Sequence, residues 1–541
     1  MMHEWAKTID LASYGQSNRS WLGLTINPAV FFPIALIALS VILFSVIAPQ
    51  ASADLFSWLR ASAVSNFNWF LLSVGNLVLL FCVAVAISPL GRVRLGGKSA
   101  SAEYSYIAWF SMLFGAGMGI GLVFYGVGEP VTHFTSSLAG GTAAPLGGAV
   151  GDAGAARTVA MAATIYNWAL HPWAIYAVVG LALAVFSYDF NMPLSLRSAF
   201  YPLIGKRIWG PVGDVIDVLA VFATLFGLAS SLGLGASQAM AGITHLYGVA
   251  SSTPAIIALI AVMAFVTFLS VRGGIDKGIR FLSEVNMWVA LALIVFVLAT
   301  GATFALLGDI FRNLWAYLVL LPAFSNPVGR TDTGFYNDWT AYYWTWWISW
   351  APFVGLFMAR ISRGRTVRGF LAGALIAPTL LCVLWLTVFG DGSIAQIVAG
   401  NAPGLAQAPL DTQLFLLLES LPWAQATSFV AISLILIFFI TGWDSGTLVI
   451  DTMTSGGRTD TPLRQKVFWL FAVGGTAVVL LVSGGLVSLQ AAAIASGLPL
   501  AVVLLLMCVG TLKGLLALHR GVSGPNNPED QGETREAAAR I

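Results

Sequence analysis

The chain has 541 residues, of which 58% are hydrophobic and only 9% are charged. Soluble domains carry about 25% charged residues, so water cannot be the main solvent of this chain. The formal net charge is only +2, and the basic residues are scattered through short loops, so we expect no nucleic-acid partner. The composition therefore predicts an all-α integral membrane protein that is embedded in the lipid bilayer.

The cysteines and the N-terminal residues argue against metal binding and against a cleaved leader. Cys82, Cys382 and Cys508 lie inside apolar runs, without a CxxC pair or flanking histidines. We interpret them as packing residues and expect neither a metal site nor a cofactor. Residues 1–28 are polar and lack the pattern of a signal peptide.

Hydropathy predicts twelve membrane spans, because apolar runs of about 20 residues recur along the chain. In chain order the predicted spans are 29–48, 67–88, 105–127, 158–186, 212–244, 254–271, 282–307, 340–359, 369–391, 425–450, 466–490 and 499–519. Residues 137–156, which are rich in Gly and Ala, are predicted to form a flexible outer loop. Residues 309–338 are predicted to hold an amphipathic helix along the membrane surface.

The distribution of basic residues predicts the orientation, because cytoplasmic loops carry an excess of Lys and Arg. Loops on one side contain Arg92, Arg94, Lys98, Arg197, Lys206, Arg207, Arg272, Lys277, Arg280, Arg360, Arg363, Arg365, Arg368, Arg458, Arg464 and Lys466. The opposite loops contain Arg60, Arg157, Arg312 and Arg330. This contrast places both termini in the cytoplasm.

The third predicted span has an unusual run of glycines, in the sequence GAGMGIG. Gly117, Gly119 and Gly121 alternate over one helical turn, which lowers helix propensity and leaves the backbone free to unwind. Unwound backbone at membrane depth is tolerated where its carbonyls line a cavity or bind an ion. We therefore predict a site here; the alternative is close helix packing alone.

The fourth predicted span contains YNWALHPWAIY, residues 166–176. On a helix that is loosened by Pro172, the rings of Trp168, Trp173 and Tyr176 can face one cavity. The alternative interpretation is a belt of aromatic residues at the membrane interface. The motif alone does not decide between them.

The eighth predicted span contains WTAYYWTWWISWAPFVGLF, residues 339–357. Trp346, Trp350, Phe353 and Phe357 are spaced by 4, 3 and 4 residues, which makes a stripe of rings along one helix face. The stripe runs through about 16 Å of depth, whereas an interfacial belt stays at one depth. Indole faces attract cations, and quaternary ammonium groups suit aromatic cages.

The tenth predicted span carries polar groups in an apolar background, at Thr441, Asp444 and Ser445. A carboxylate inside a membrane is a functional candidate. For Asp444 the alternative is an interhelical hydrogen bond or a position at the cytoplasmic end of the span.

Three of these motifs together resemble the betaine/choline/carnitine transporter family. They are GMGIG, the WxxHPWAIY pattern of the fourth span, and WWISWAPFVGLFMARISRGR of the eighth. The resemblance covers residues 69–490 and implies a LeuT-like fold of twelve transmembrane helices, in which two inverted five-helix repeats follow two extra helices. It also implies alternating access about a central site, and a homotrimer, since family members commonly form trimers.

The resemblance divides the chain into six parts. They are a cytoplasmic N-terminus at 1–28, two peripheral helices at 29–88, a first repeat at 105–307, a periplasmic loop with an amphipathic helix at 308–339, a second repeat at 340–519 and a short cytoplasmic tail at 520–541. The location it implies is the inner (plasma) membrane of a bacterium. The tail is short and mixed in charge, so we expect constitutive rather than osmotically regulated uptake.

The family pattern also implies site residues. An aromatic box would surround the methylated cation, with the glycine-rich backbone completing the pocket. The substrate-binding residues implied are Gly117, Met118, Gly119, Gly121, Trp168, Trp173, Tyr176, Trp347 and Trp350. A cytoplasmic exit path would be lined by Trp346, Phe353 and Phe357, together with Trp350.

Two departures from the family pattern bear on substrate and coupling. Choline-preferring members tend to have Asp at the last position of GMGIG, where this chain has Gly121, which favours a zwitterion such as glycine betaine or dimethylsulfoniopropionate. The implied sodium ligands are Gly115, Met118, Phe438, Thr441, Thr224 and Ser231. Leu228 and Gly442 stand where relatives have hydroxyls, and Glu284 offers either a protonatable group or a charge that reaches the cytoplasmic interface.

The leading hypothesis is import of a small zwitterionic quaternary-ammonium or sulfonium compound coupled to Na⁺ or H⁺. The alternative is ion-independent exchange of the carnitine type, which the weakened sodium ligands encourage. A membrane enzyme would need a nucleophile beside a base or a metal cluster, and the five histidines form no HxxxH or HExxH pattern. A receptor would need an output domain, which the sequence lacks.

Overall fold

The computed structural model describes residue 6 and residues 18–117, 119–273, 278–301 and 303–522. Strands β1 (Arg19–Trp21) and β2 (Leu24–Ile26) form an antiparallel hairpin. The α-helices of this part of the chain are α1 (Pro28–Ile47), α2 (Pro49–Ile87), α3 (Tyr106–Gly117), α4 (Ile120–Ala139), α5 (Ala153–Trp168), α6 (Leu170–Ala184), α7 (Tyr201–Ile204), α8 (Pro211–Tyr247), α9 (Thr253–Gly273), α10 (Gly278–Thr300), α11 (Thr303–Ser325), α12 (Thr333–Phe335), α13 (Ala341–Arg360), α14 (Val367–Leu386), α15 (Gly392–Val398), α16 (Gln413–Glu419), α17 (Ala424–Thr454) and α18 (Leu463–His519).

Short turns of other helix types extend or join these elements. The π-helical turns are Val185–Asp189, Tyr336–Thr340 and Thr387–Asp391, and the 3₁₀ turns are Pro89–Arg92, Pro145–Gly147, Leu196–Phe200, Gly205–Trp209 and Leu405–Gln407. The first π-helical turn lengthens α6, the second precedes α13, and the third joins α14 to α15. The chain is therefore predominantly helical, as predicted.

Nine helical segments within the described ranges are long and apolar enough to cross a membrane. They differ in burial, because the window of α5–α6 is 94% buried while those of α1, α9 and α11 are each 28% buried. The well-buried helices form an inner layer, and the exposed apolar ones present hydrophobic side chains outward, as lipid-facing helices do. The site described below lies in that inner layer.

The predicted boundary between the last two spans is wrong. The sequence predicts a break at 491–498, but α18 is helical there, and its backbone departs from helical geometry at Gly485 (φ 59, ψ −141). Residues 491–498 are mostly alanine and other helix-compatible residues. A positive φ costs little at glycine, so the break occurs at Gly485 instead.

Helix α11 overlaps the segment 309–338, which is predicted to hold an amphipathic surface helix. Its outward face is apolar, and polar side chains lie on the face toward the protein. Its exposed face carries large apolar side chains, including Phe304, Phe311 and Trp315, which are 91%, 76% and 69% exposed. Its buried face carries Asp309 and Asn313. An apolar outer face suits contact with lipid rather than with water.

Four charged side chains connect α11 with α5 and with the π-helical turn after α14. Arg157 of α5 donates to Asp309 at 2.7 Å and to Asp391 of the π-helical turn after α14. Arg312 contacts the same two carboxylates, at 2.7 and 3.1 Å. Asp391 is fully buried and also accepts from Asn313 at 3.0 Å. These charges compensate one another inside the protein, as buried charges must.

The N-terminal hairpin lies against the junction of α17 and α18. The backbone N–H of Asn27 donates to the carbonyl of Thr454 at 2.8 Å, and the amide of Asn18 donates to the carbonyl of Ser455 at 2.9 Å. The N-terminal segment therefore lies on the same side of the helices as the α17–α18 loop.

All three cysteines are buried in the helical core.

Candidate functional site

The glycine run of the third predicted span contains a helix break. Helix α3 ends at Gly117 and α4 begins at Ile120, while Gly119 between them has an extended conformation (φ −137, ψ −149). The structure thus places the interruption inside the predicted stretch, although it is shorter than Gly117–Gly121. Met118, predicted as a substrate and sodium ligand, lies outside the described residues, and the surroundings of Gly115 and Gly117 are not described either.

Gly121 lies between two tryptophan rings. A Cβ atom built on Gly121 would be 2.5 Å from Cη2 of Trp346 and 3.1 Å from Cη2 of Trp168. Such distances are well inside van der Waals contact, so a larger residue must displace the rings. The bare backbone here allows α4 to approach the aromatic residues of α5 and α13.

The fourth predicted span is also broken, but not at its proline. Helix α5 ends at Trp168, Ala169 is non-helical (φ −94, ψ −124), and α6 starts at Leu170. Pro172 falls in the first turn of α6, where its missing N–H is harmless. A continuous helix would oppose the Pro172 ring to the carbonyl of Trp168, and that carbonyl instead accepts from Sγ of Cys382 at 3.2 Å.

The four predicted box residues come together in one buried cluster. The ring centroids of Trp168 and Trp347 are 4.9 Å apart, those of Trp347 and Tyr176 6.2 Å, and those of Tyr176 and Trp173 5.6 Å. None of the four is more than 5% exposed. The rings therefore face one another inside the protein, and the interfacial-belt interpretation of the fourth span is wrong.

Trp346 lies in the same cluster, next to the box. Its ring stacks on Trp347 at 4.9 Å with an interplanar angle of 17°, and its centroid is 6.3 Å from that of Trp168. Its indole N–H donates to Oγ of Ser231 at 3.2 Å. We predicted Trp346 in the exit path, and the structure places it directly against two box residues.

The other predicted exit residues continue along α13. Trp350 and Phe353 are in contact, with ring centroids 5.3 Å apart, and Phe357 is partly buried one turn further on. Trp350 is only partly buried and also lies against Gly227 of α8, where a Cβ atom would come within 3.0 Å of its ring. The stripe of rings therefore starts at the aromatic cluster and follows the helix away from it.

Glu129 is not among the site residues that the sequence predicts. It lies in α4 and is fully buried. Its Oε2 accepts from the indole N–H of Trp168 at 2.7 Å and from the hydroxyl of Tyr343 at 2.5 Å. Its Oε1 accepts from the amide of Asn167 at 2.7 Å and contacts Nε2 of His133 at 3.2 Å. Glu129 falls two residues beyond the predicted span 105–127, so it does not stand out in the sequence as a carboxylate inside a membrane span.

Glu129 also influences Trp347 through Asn167. The indole N–H of Trp347 donates to the backbone carbonyl of Asn167 at 3.0 Å, and the side chain of the same Asn167 donates to Glu129. One carboxylate therefore orients two tryptophans of the cluster, one directly and one through a neighbour. Hydrogen bonds to an ionised carboxylate are about twice as strong as neutral ones.

Among the predicted sodium ligands, Thr224 and Ser231 lie on α8, and Phe438 and Thr441 lie on α17. Thr224 donates to the carbonyl of Ala220 at 2.8 Å, and Thr441 donates to the carbonyl of Ile437 at 2.9 Å. Phe438 is buried on α17, three residues before Thr441. Such hydroxyls keep their oxygen lone pairs available for a cation.

Leu228 fills the space between these two helices. A Cβ atom on Gly446 would lie 2.3 Å from Cδ2 of Leu228, so the leucine side chain packs directly on the α17 backbone. An apolar side chain therefore occupies the position at which the family resemblance implies a hydroxyl. Two further polar candidates remain. Asp444 accepts from Oγ of Ser270 at 2.5 Å, which favours the interpretation as an interhelical hydrogen bond. Glu284 is exposed.

The chain is similar to known transporters over nearly its whole length. Residues 29–520 match the family described as BCCT, betaine/carnitine/choline family transporter. A glycine betaine/proline/choline transporter of Vibrio parahaemolyticus is 48% identical over 505 residues, covering 91% of each chain. Glycine betaine transporter 1 of the same organism is 45% identical over 516 residues, covering 94% of this chain and 98% of the relative.

A more distant relative agrees with these two. A glycine betaine transporter of Acinetobacter baylyi is 38% identical over 494 residues, which cover 91% of this chain and 73% of the relative. Identity at this level over nine-tenths of the chain extends well beyond the three motifs. The chain is a member of the betaine/carnitine/choline transporter family, a multi-pass membrane transporter and not an enzyme.

Proposed function

We propose that this chain imports a small zwitterion with a methylated cationic head, of the glycine betaine or dimethylsulfoniopropionate type, by cation-coupled alternating access. The observation that carries the proposal is the buried cluster of Trp168, Trp173, Tyr176 and Trp347. Indole and phenol faces attract a methylated cation by roughly 2 kcal/mol or more when water is excluded. The relatives named above support the substrate class.

The absence of a carboxylate at Gly121 supports a zwitterion. Choline-preferring members of the family tend to have Asp at this position, whereas a betaine carries its own carboxylate. Gly121 lies between Trp346 and Trp168, where an acidic side chain would contact both the rings and the substrate. A sulfonium head presents a similar methylated positive surface to the rings, so both head groups suit the cluster.

We infer twelve spans in a LeuT-like arrangement of two inverted five-helix repeats after two extra helices. Gly485 divides α18 into two spans, and α3 and α4 together supply one broken span. Helices α10 and α13 supply the seventh and eighth spans, and α11 is the helix between the two repeats. Broken helices next to the binding site are typical of such repeats.

We infer that the chain lies in the inner (plasma) membrane with both termini in the cytoplasm. The N-terminal segment contacts the loop after α17, which carries Arg458 and leads to Arg464 in the first turn of α18. Loops rich in basic residues lie on the cytoplasmic side. Both ends of the chain would therefore share the side of the basic loops.

Exchange without ion coupling is the second candidate, and one observation favours it. Leu228 packs on Gly446 in the region where sodium ligands are expected between α8 and α17. An apolar side chain cannot replace an oxygen ligand, although a bound water can where space allows. Coupling is therefore the part of the proposal that most needs an experiment.

Uptake into proteoliposomes tests both candidates. We expect an inward sodium or proton gradient to drive accumulation of glycine betaine or dimethylsulfoniopropionate, with choline and carnitine transported more slowly. The panel is measured first with sodium and then with potassium, at two external pH values. Counterflow that ignores both sodium and pH would establish the exchanger, and no transport of any betaine would refute import altogether.

Replacing Trp347 with alanine tests the aromatic cluster. We expect Trp347→Ala to weaken glycine betaine binding by roughly tenfold or more, since a desolvated cation–π contact contributes about 1.4 kcal/mol or more. Isothermal titration calorimetry on purified protein measures the change. Trp315→Ala is the matched control, because Trp315 is 69% exposed on α11; equal affinities of the two variants would remove Trp347 from the site.

A further inference from the structure

We propose that Glu129 is the charge partner of the cationic head group, acting through the indole of Trp168. This inference rests on the proposed function, because it concerns the same aromatic cluster. The carboxylate lies at the edge of the Trp168 ring, with Oε2 2.7 Å from the indole nitrogen. A methylated cation on the face of that ring would have a buried negative charge beside it, at the edge of the same ring.

The surroundings of Glu129 fit an ionised carboxylate. An indole N–H and an amide NH₂ can only donate, and Trp168 and Asn167 point these groups at opposite oxygens of Glu129. Tyr343 and His133 provide two further groups that can donate. An ionised carboxylate accepts the bonds from Trp168, Asn167 and Tyr343 together.

The negative charge of Glu129 is only weakly compensated. Within the described ranges, the ion pairs of Glu129 are confined to His133 at 3.2 Å. His133 is fully buried between the rings of Phe335 and Trp339, at 5.0 and 4.7 Å. Since the described residues place no Lys or Arg in an ion pair with Glu129, its carboxylate can interact with a cation that enters the neighbouring cluster.

Two effects make this arrangement attract a cation. An N–H that donates to an anion is polarised, which moves electron density onto the indole and makes its face more negative. The charge itself also acts over the width of one ring in a medium where Coulomb interactions are only weakly screened. Both effects act on the charge of the head group and not on its shape.

The experiment therefore compares two ligands of one shape. Glycine betaine and 3,3-dimethylbutyrate differ only in a positive nitrogen against a neutral carbon, and their dissociation constants are measured by calorimetry on purified protein. We expect wild type to prefer glycine betaine, and Glu129→Gln to reduce that preference by about tenfold. The affinity for 3,3-dimethylbutyrate should change little, because glutamine keeps the size of the side chain.

Asp444→Asn is the matched control, because it removes another buried carboxylate that hydrogen-bonds to Ser270 away from the rings. We expect it to keep the wild-type preference. A parallel loss of both ligands in Glu129→Gln would mean that Glu129 only supports the packing, and an unchanged preference would also overturn the inference. Wild type that binds no betaine would instead refute the proposed function, and the inference with it.

A second variant covers the case in which Glu129→Gln does not fold. Tyr343→Phe removes the hydroxyl that donates to Glu129. It leaves the charge of Glu129 and the hydrogen bond from Trp168 in place. We expect it to keep or increase the preference for glycine betaine. Loss of the preference in Tyr343→Phe would overturn the inference.

Discussion

Replacing Gly121 with alanine is expected to weaken glycine betaine binding by roughly tenfold, and replacing it with aspartate by considerably more. The added Cβ would lie 2.5 Å from the Trp346 ring and 3.1 Å from the Trp168 ring. Overpacking of this kind costs about 1–3 kcal/mol, and here the rings that must move are those of the proposed binding site. Calorimetry and uptake assays on both variants measure the loss.

Gly119→Ala is the control for this prediction. Gly119 is two residues away in the same glycine run, but a Cβ atom there would have no described residue other than its chain neighbours within 4 Å. Its φ of −137° is open to any residue, so we expect a much smaller effect. Equal damage from both variants would show that the flexibility of the run matters, and not the space at Gly121.

A second-site change can separate crowding from other causes. Trp346→Phe removes the part of the ring that lies closest to Gly121. If crowding is the cause, the double variant Gly121→Ala/Trp346→Phe binds glycine betaine better than Gly121→Ala alone. Losses that simply add would argue against direct contact as the mechanism.

Replacing Arg157 with methionine is expected to destabilise the folded protein by roughly 3 kcal/mol. Arg157 contacts both Asp309 and Asp391, and Asp391 is fully buried. Without Arg157, two carboxylates share the single guanidinium of Arg312, so one buried negative charge is left uncompensated. Thermal unfolding in detergent measures the loss as a lower melting temperature.

Arg60→Met provides the matched comparison. Arg60 also forms an arginine–aspartate pair between separate helical segments, with Asp338 at 2.9 Å, but Asp338 is 64% exposed. Exposed pairs contribute only about 0–1 kcal/mol, so the melting temperature should hardly change. A loss in Arg60→Met as large as that in Arg157→Met would contradict the assignment of the effect to burial.

The aromatic cluster could be predicted because the spacing within YNWALHPWAIY lets Trp168, Trp173 and Tyr176 face one cavity, and the family resemblance adds Trp347. The structure brings these four rings together. Trp346 is predicted in the exit path because it shares the ring stripe of the eighth span. It nevertheless contacts Trp168, because Trp168 lies at the end of α5 and reaches both rings.

Other features depend on contacts that no local pattern reveals. Glu129 lies just beyond the predicted third span, and its four hydrogen-bond partners come from three parts of the chain. The break of the fourth span at Ala169 precedes Pro172 by three residues, because the proline is tolerated in the first turn of a new helix. Likewise, a hydropathy profile does not distinguish the kink at Gly485 from a loop between two spans.

The buried cysteines have a practical consequence for spectroscopy. Cys82, Cys382 and Cys508 are the only native thiols, and all three are enclosed by the helices. A fluorophore or spin label that reacts with thiols will therefore attach selectively to a cysteine introduced on the surface, with no need to remove the native ones first. Distances between such labels can be followed in the otherwise unaltered protein.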